Sequence, residues 1–471
     1  MDHALANLPR ELLVMVLQLL GVEDLSQIDL CSHAFHSPPY HIGNSNPLVE
    51  QALLAQLQMQ GLTPANVLAS GEVSWVQLLF WEVRRHCRHR REVVSAGMLH
   101  SMLINSEGEL NVSGCEDDDD DDEDDAVSGV LGLGLHENRG RVVPLKVVPS
   151  MASVRVCQVA AGRLHSLVVS EAGHVWSCGN GWHGQLGHGD ATSSGEFRRI
   201  PSLSNVYMAS AGDAHSLVVL RDGSLYSFGA GEDGALGHGD MASRTIPELV
   251  PSLQQRCVRL ASAGATFSML LLDDGSVFSS GYAFSGIGHG EHTVCDTPRQ
   301  IQAVAGLRIA SIAAGHGHYL MATEDGAVFS GGHGVAGCLG HGNFESLTTP
   351  AIITLLGDER VVQVAAGNNH SLVLTRAGTV YSFGETSFGM LGQGREDGDR
   401  HPSPRRIAGL HNIQQVTAGF SHNLATSGTT VFGWGDHEAL GLPAQEVEDE
   451  DGKGVHISTP VALLVSAWRG S

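Results

Sequence analysis

The chain has 471 residues, 42% of them hydrophobic and 17% charged, with 59 glycines and a formal net charge of -24. An acidic surface repels phosphate backbones, so direct nucleic-acid binding is not expected. No apolar run reaches the roughly 18 residues that span a bilayer. The eight cysteines include no Cys-x-x-Cys pair, which argues against a disulfide framework or a zinc knuckle. No basic stretch precedes an apolar core at the N-terminus. The expectation is therefore a protein of the cytoplasm or nucleus with no membrane association.

Residues 1–90 differ in texture from the rest of the chain. Pro9 suits a first helical position, and residues 10–20 continue without a breaker until Gly21. Only Arg10, Glu11 and Gln18 interrupt that helix's apolar surface, so it must be covered on more than one side. A second helix over residues 24–35 places Leu25, Ile28, Cys31 and Phe35 at helical spacing. Residues 47–58 and 74–86 read as two more helices. The pattern Leu8-Pro9-x-Glu11-Leu12-Leu13, then Val16-Leu17, Leu20, Asp24-Leu25, Ile28, Cys31 and Phe35, resembles an F-box. That resemblance implies docking on the Skp-type adaptor of a cullin–RING ubiquitin ligase. Leu8, Pro9, Leu12, Leu13 and Leu17 would face the adaptor. The alternative is a helical cap packed on the following domain. The basic run from Arg84 to Arg91 reads as the polar end of the last helix or as a nuclear signal.

From residue 91 onward a phrase recurs: Ala-Gly-x-x-His-Ser, an apolar run, a turn glycine, a second apolar run ending in Gly, then Leu-Gly-x-Gly. The first glycines of its seven copies are Gly97, Gly162, Gly212, Gly264, Gly315, Gly367 and Gly419. After the first copy the spacings are 50, 52, 51, 52 and 52 residues. A period near 50 marks an array of supersecondary units. In the third copy, His215 to Leu220 is one strand, Asp222-Gly223 a hairpin turn, and Ser224 to Phe228 the returning strand. An apolar strand precedes each Ala-Gly, and another follows Thr-Pro or a similar pair. Four strands per unit predict a propeller blade.

Between the first and second copies the run 116–125 contributes ten acidic residues in succession. It reads as a solvated loop, or as a docking site for a basic partner. A proline-led strand, Thr459 to Leu464, follows the seventh copy with no eighth copy to serve. The expectation is that it completes the first blade and seals the ring, leaving no long open edge.

These repeats, together with Tyr-Ser-Phe-Gly, Leu-Gly-His-Gly and Thr-Pro, resemble the regulator of chromosome condensation repeat. The resemblance implies a seven-bladed propeller over residues 91–471. The predicted fold class is thus an all-β seven-bladed propeller with a small N-terminal α-helical module. The recurring histidines, among them His165, His215, His318, His370 and His422, spread around a ring and so read as structural rather than metal-ligating. No Gly-x-Ser-x-Gly elbow and no Gly-x-x-x-x-Gly-Lys-Ser/Thr loop is present. No catalytic residue, cofactor or metal is expected.

Three functions follow from the two resemblances. The first is a non-catalytic adaptor whose propeller recruits a protein partner to a ubiquitin ligase. The alternative is a guanine nucleotide exchange factor or regulator for a Ran-like small GTPase, the activity of the family's founding member. The third, UV-B reception, relies in the plant photoreceptor of this family on tryptophans directly after Ala-Gly. Here those positions hold Met98, Arg163, Asp213, Ala265, His316, Asn368 and Phe420, so that reading is set aside. For partner capture, the loops offer Asn180, Trp182, Glu232, Phe284 and Phe388, with Trp182 and Phe388 the preferred exposed anchors.

Overall fold

The structure is a computed structural model that describes residues 93–116, 129–134, 141–290, 294–394, 400–442 and 456–463, all within the unit Arg91–Ser471. The helical module expected over residues 1–90, with Leu8, Pro9, Leu12, Leu13, Leu17 and the basic run, lies outside the described residues. So do residues 117–125 of the acidic run.

Seven four-stranded antiparallel sheets make up the described chain. Each is a blade built from four consecutive strands. Blade 1 comprises Val94–Ala96, His100–Ile104, Leu110–Cys115 and Val142–Val147. Blade 7 comprises Gln415–Ala418, His422–Thr426, Val431–Asp436 and His456–Leu463. The first strand of each blade is innermost, and the fourth forms the half-exposed outer rim. Burial explains the order. The second strand of blade 2, His165–Ser170, is buried along its whole length, which its run of apolar and small residues allows. The fourth strand of blade 3, Arg244–Leu249, has one buried residue in six.

The predicted hairpins form. In blade 3, Gly223 takes a φ of 86°, where a side chain would be strained. Asp222 Oδ1 accepts a hydrogen bond from the Ser224 amide at 2.9 Å and closes the same turn.

Ring closure differs from the expectation. The C-terminal strand His456–Leu463 pairs with Val431–Asp436 in its own blade, with Phe432 opposite Ala462 and Gly435 opposite Ile457. Blade 1 takes its outer strand from Val142–Val147. Each repeat supplies its own fourth strand, so no strand is exchanged. Blades 1 and 7 instead meet side by side. The Phe420 amide donates to the Gly97 carbonyl at 2.9 Å, the Val93 amide donates to Gln415 Oε1 at 3.1 Å, and Val94, Ala96 and Leu103 share a core with Val416, Leu424 and Trp434. This seam is chemically like the others, which is why no strand exchange is needed to shut the ring.

The core is divided into clusters between neighbouring blades. One joins blades 4 and 5 through Phe267, Met269, Tyr319 and Met321. Trp434, fully buried, donates its indole N–H to the Met390 carbonyl at 3.0 Å and ties blade 7 to blade 6.

Candidate functional site

Strand direction decides which residues share a face. The inner strand of each blade runs toward one face, the second away, the third toward it and the fourth away. The turns between strands 1 and 2 and the loops between strands 3 and 4 therefore crowd onto one face. Turns between strands 2 and 3 and the links to the next blade occupy the other.

On the first face a central channel opens. The alanine before each repeat glycine, from Ala96 to Ala418, lines it; a larger side chain there would collide with the other inner strands. The channel holds cavities of ≈ 100 and ≈ 130 Å³. Its mouth is ringed by backbone hydrogen bonds, in which the residue after the repeat glycine donates to the next blade's glycine carbonyl at six of the seven seams, as Arg163 does to Gly212 at 3.1 Å and His316 to Gly367 at 3.2 Å. A Cβ on Gly162 would come within 2.6 Å of the Gly212 carbonyl oxygen, so only glycine fits. The positions considered for tryptophan thus converge at this mouth as a mixed polar rim. Arg163 Nη1 stands 3.5 Å from Asp213 Oδ2. Burial raises the Asp213 carboxyl above its ordinary value, with His316 and Arg163 opposing that rise. His316 meets Phe420 edge to face, with ring centroids 6.4 Å apart.

Beneath the mouth the repeat histidines form a belt. Nε2 of His100 lies 2.9 Å from Ser166 Oγ, that of His165 2.9 Å from Ser216 Oγ, and that of His215 3.0 Å from Ser268 Oγ. His318 reaches Ser371 at 2.8 Å, His370 reaches Asn423 Oδ1 at 2.7 Å, and His422 reaches Ser101 at 2.9 Å. Each serine hydroxyl donates to a loop carbonyl, as Ser216 does to Gln185 at 2.8 Å. The hydroxyl therefore accepts from the ring, which fixes the Nε2–H tautomer. Nδ1 of His100, His165, His370 and His422 is left buried without a protein partner. Charging the ring would bury an unsatisfied N–H, and burial accordingly depresses these histidines, His100 to about 4 and His165 to about 3. The histidines of Leu-Gly-His-Gly pin their own loops: His188 bonds Ser177 at 3.0 Å and His238 bonds Ser227 at 2.9 Å. Both sets are structural. Among the described residues no group of His, Cys, Asp and Glu is arranged to hold a metal ion, and no helix is long and apolar enough to cross a membrane.

The 3–4 loops carry the predicted anchors. Trp182 is 50% exposed and Phe388 43%, and Phe388 rests edge-on against His456 with centroids 4.9 Å apart. Phe284 projects further, at 78% exposed. Glu232 is exposed. Asn180 is instead buried, and its Oδ1 accepts from the Trp182 amide at 3.0 Å and from Gln185 Nε2 at 3.1 Å; it shapes the loop rather than meeting a partner. Phe344 and Met241, both exposed on 3–4 loops, escaped the sequence reading. Their signal was an apolar residue three positions after the Leu-Gly-His-Gly histidine. All four exposed Trp and Phe side chains among the described residues lie on this one face. Glu116, the described end of the acidic run, is buried at the root of the blade 1 loop, and burial raises its carboxyl to about 6.

Seven blades, six of them carrying the repeat histidine and all joined between neighbours, define a propeller that presents loops around a narrow channel. The chain belongs to the RCC1-like domain family, whose matches cover residues 82–362 and 199–467. It is 31% identical over 348 residues to human E3 ubiquitin-protein ligase HERC2, a match that takes in 73% of this chain and 6% of that protein. It is 28% identical over 288 residues to the Ultraviolet-B receptor UVR8 of Arabidopsis thaliana, covering 60% of this chain and 65% of the receptor. Prp20p of Saccharomyces cerevisiae, characterised for its binding to Gsp1p and histones, has the same fold, with a TM-score of 0.64 at 21% identity over 82% of this chain and 90% of that one. The chain therefore spans only a small part of HERC2 and about two thirds of the photoreceptor.

Proposed function

We propose that this chain is a non-catalytic protein-interaction adaptor that captures a partner on the face bearing its 3–4 loops. The observation that carries the reading is the gathering of Trp182, Phe284, Phe344 and Phe388 on that face. Exposed aromatics of this kind are frequent hot spots of protein recognition. The opposite face, among the described residues, exposes no Trp or Phe. The F-box-like pattern of Leu8, Pro9, Leu12, Leu13 and Leu17 supports docking on a Skp-type adaptor, so the captured partner would be delivered to a ubiquitin ligase. The test is a pull-down of the full chain with purified Skp-type adaptor beside the Leu12→Asp/Leu13→Asp variant. Retention by the wild type alone is the expected result; equal retention, or none by either, refutes the ligase half of the reading.

The likeness to Prp20p favours a second reading, a regulator of a Ran-like small GTPase. It predicts faster nucleotide release from the GTPase in the presence of the chain. An unchanged release rate removes it.

A further inference from the structure

Granting that the 3–4 loop face is the partner face, we infer that its sector over blades 4 to 6 is the docking site for a basic polypeptide segment with an apolar anchor, seated on Phe284, Val335, Phe344 and Phe388. These side chains come from three adjacent blades and are 78%, 45%, 47% and 43% exposed. The loops of blades 2 and 3 expose one large apolar side chain each, Trp182 and Met241, whereas those of blades 4 to 6 expose these four.

Phe388 adds an independent sign. Its φ of 60° and ψ of 11° place a bulky aromatic in the left-handed region, a conformation that L side chains avoid. Among the described residues the other non-glycine residues with positive φ are Asn205 and Asn412, whose short polar side chains tolerate it. A strained aromatic held at a surface is the kind of outlier that accumulates at binding sites.

Charge selects the occupant. Of the described arginines on this face, Arg141 on the blade 1 loop lies away from the sector and is exposed; three others are engaged. Arg163 faces Asp213 at 3.5 Å, Arg244 bridges Asp240 and Glu248 at 2.8 and 2.9 Å, and Arg400 donates to the Val335 carbonyl at 3.0 Å. Glu232 and Asp233 on the blade 3 side, Glu345 within the sector and Glu438 on the blade 7 side have no cation partner among the described residues. The opposite face carries acidic turns as well, but Arg155, Arg221, Arg256, Arg308, Arg360 and Arg376 are interleaved with them. Apolar knobs flanked by uncompensated carboxylates favour Lys or Arg beside an apolar side chain and repel an acidic segment.

The experiment is a selection of random phage-displayed peptides, about twelve residues long, on the full chain, with binders re-measured on variants. The expected pool combines Lys or Arg with an aromatic or aliphatic residue. Its affinity should fall at least about tenfold on Phe284→Ala/Phe388→Ala and hold on the opposite-face control Leu307→Ala. Phe388→Asn suits the backbone conformation and removes the ring, so it should lose binding with no drop in melting temperature. A pool without basic enrichment, no enriched pool, or binding indifferent to Phe284 and Phe388 overturns the inference. If binding instead answers to Trp182→Ala and Met241→Ala, the face stands and the sector falls. If it answers only to Leu307→Ala, both fall.

Discussion

The belt has one break, and it shows how a single blade seam was rebuilt. Phe267 stands where the other copies have histidine, and the residue it faces in blade 5 is Tyr319 rather than serine. Gly331 accommodates the exchange: a Cβ there would lie 2.2 Å from the Tyr319 hydroxyl oxygen. The polar link has become an aromatic one, and the Tyr319 hydroxyl is buried with no protein partner. Tyr319→Phe removes that hydroxyl and keeps the ring, so its stability should stay within about 0.5 kcal/mol of the parent or rise. Ser216→Ala leaves the His165 N–H and the Gln185 carbonyl unsatisfied and should cost about 1–3 kcal/mol. Denaturant midpoints of the two variants, compared side by side, check the contrast; a large loss for Tyr319→Phe would contradict it. Phe388→Gly should gain up to about 1 kcal/mol by releasing backbone strain, read as a raised melting temperature. Phe267 was visible in the sequence as an exception. Its companions were not, because they lie 52 and 64 residues away and only the ring brings them together.

At the scale of elements, the repeat made the strands and hairpins legible but left the phase of the blades open. A proline-led strand can belong to the repeat before it or to the next. The observed register assigns it to the repeat before, with Phe278 opposite Gln300 in blade 4 and Val431 opposite Leu463 in blade 7. The two closures predict different damage when residues 456–471 are removed. In the observed topology the amides of Val431–Asp436 lose a partner strand. Hydrogen exchange should therefore quicken there and leave Leu110–Cys115 of blade 1 protected. The melting temperature should fall while the blade 1–blade 7 seam holds. Faster exchange in Leu110–Cys115 instead would restore the strand-exchange closure.

For the whole molecule, the belt makes stability depend on pH. Burial lowers His100, His215 and His370 to about 4, and His165, His318 and His422 to about 3, the last three with help from neighbouring histidines. Unfolded histidines titrate near pH 6.5. Below that pH the unfolded chain binds protons that the folded chain refuses, so stability is full above about 6.5 and falls as the pH drops toward 4. Each ring contributes at most about 1.4 kcal/mol per pH unit, and six act together. The melting temperature should be level from pH 8 to 7 and fall steeply between pH 6 and 5. A level curve through pH 5 would mean that the belt titrates normally.

The sequence by itself determined the architecture. Glycines with no room for a Cβ, Asp-Gly turns and a period near 50 residues leave the chain few alternatives to a seven-bladed ring, because each of those constraints is local or repeats at fixed spacing. It also carried the F-box-like pattern, which lies outside the described residues. Only the tertiary structure decided which strand closes which blade, which hydroxyl each histidine meets, and that Trp182, Phe284, Phe344 and Phe388 share one face. Those outcomes rest on contacts between blades, and a repeat unit cannot encode by its own pattern what its neighbour in the ring will place against it.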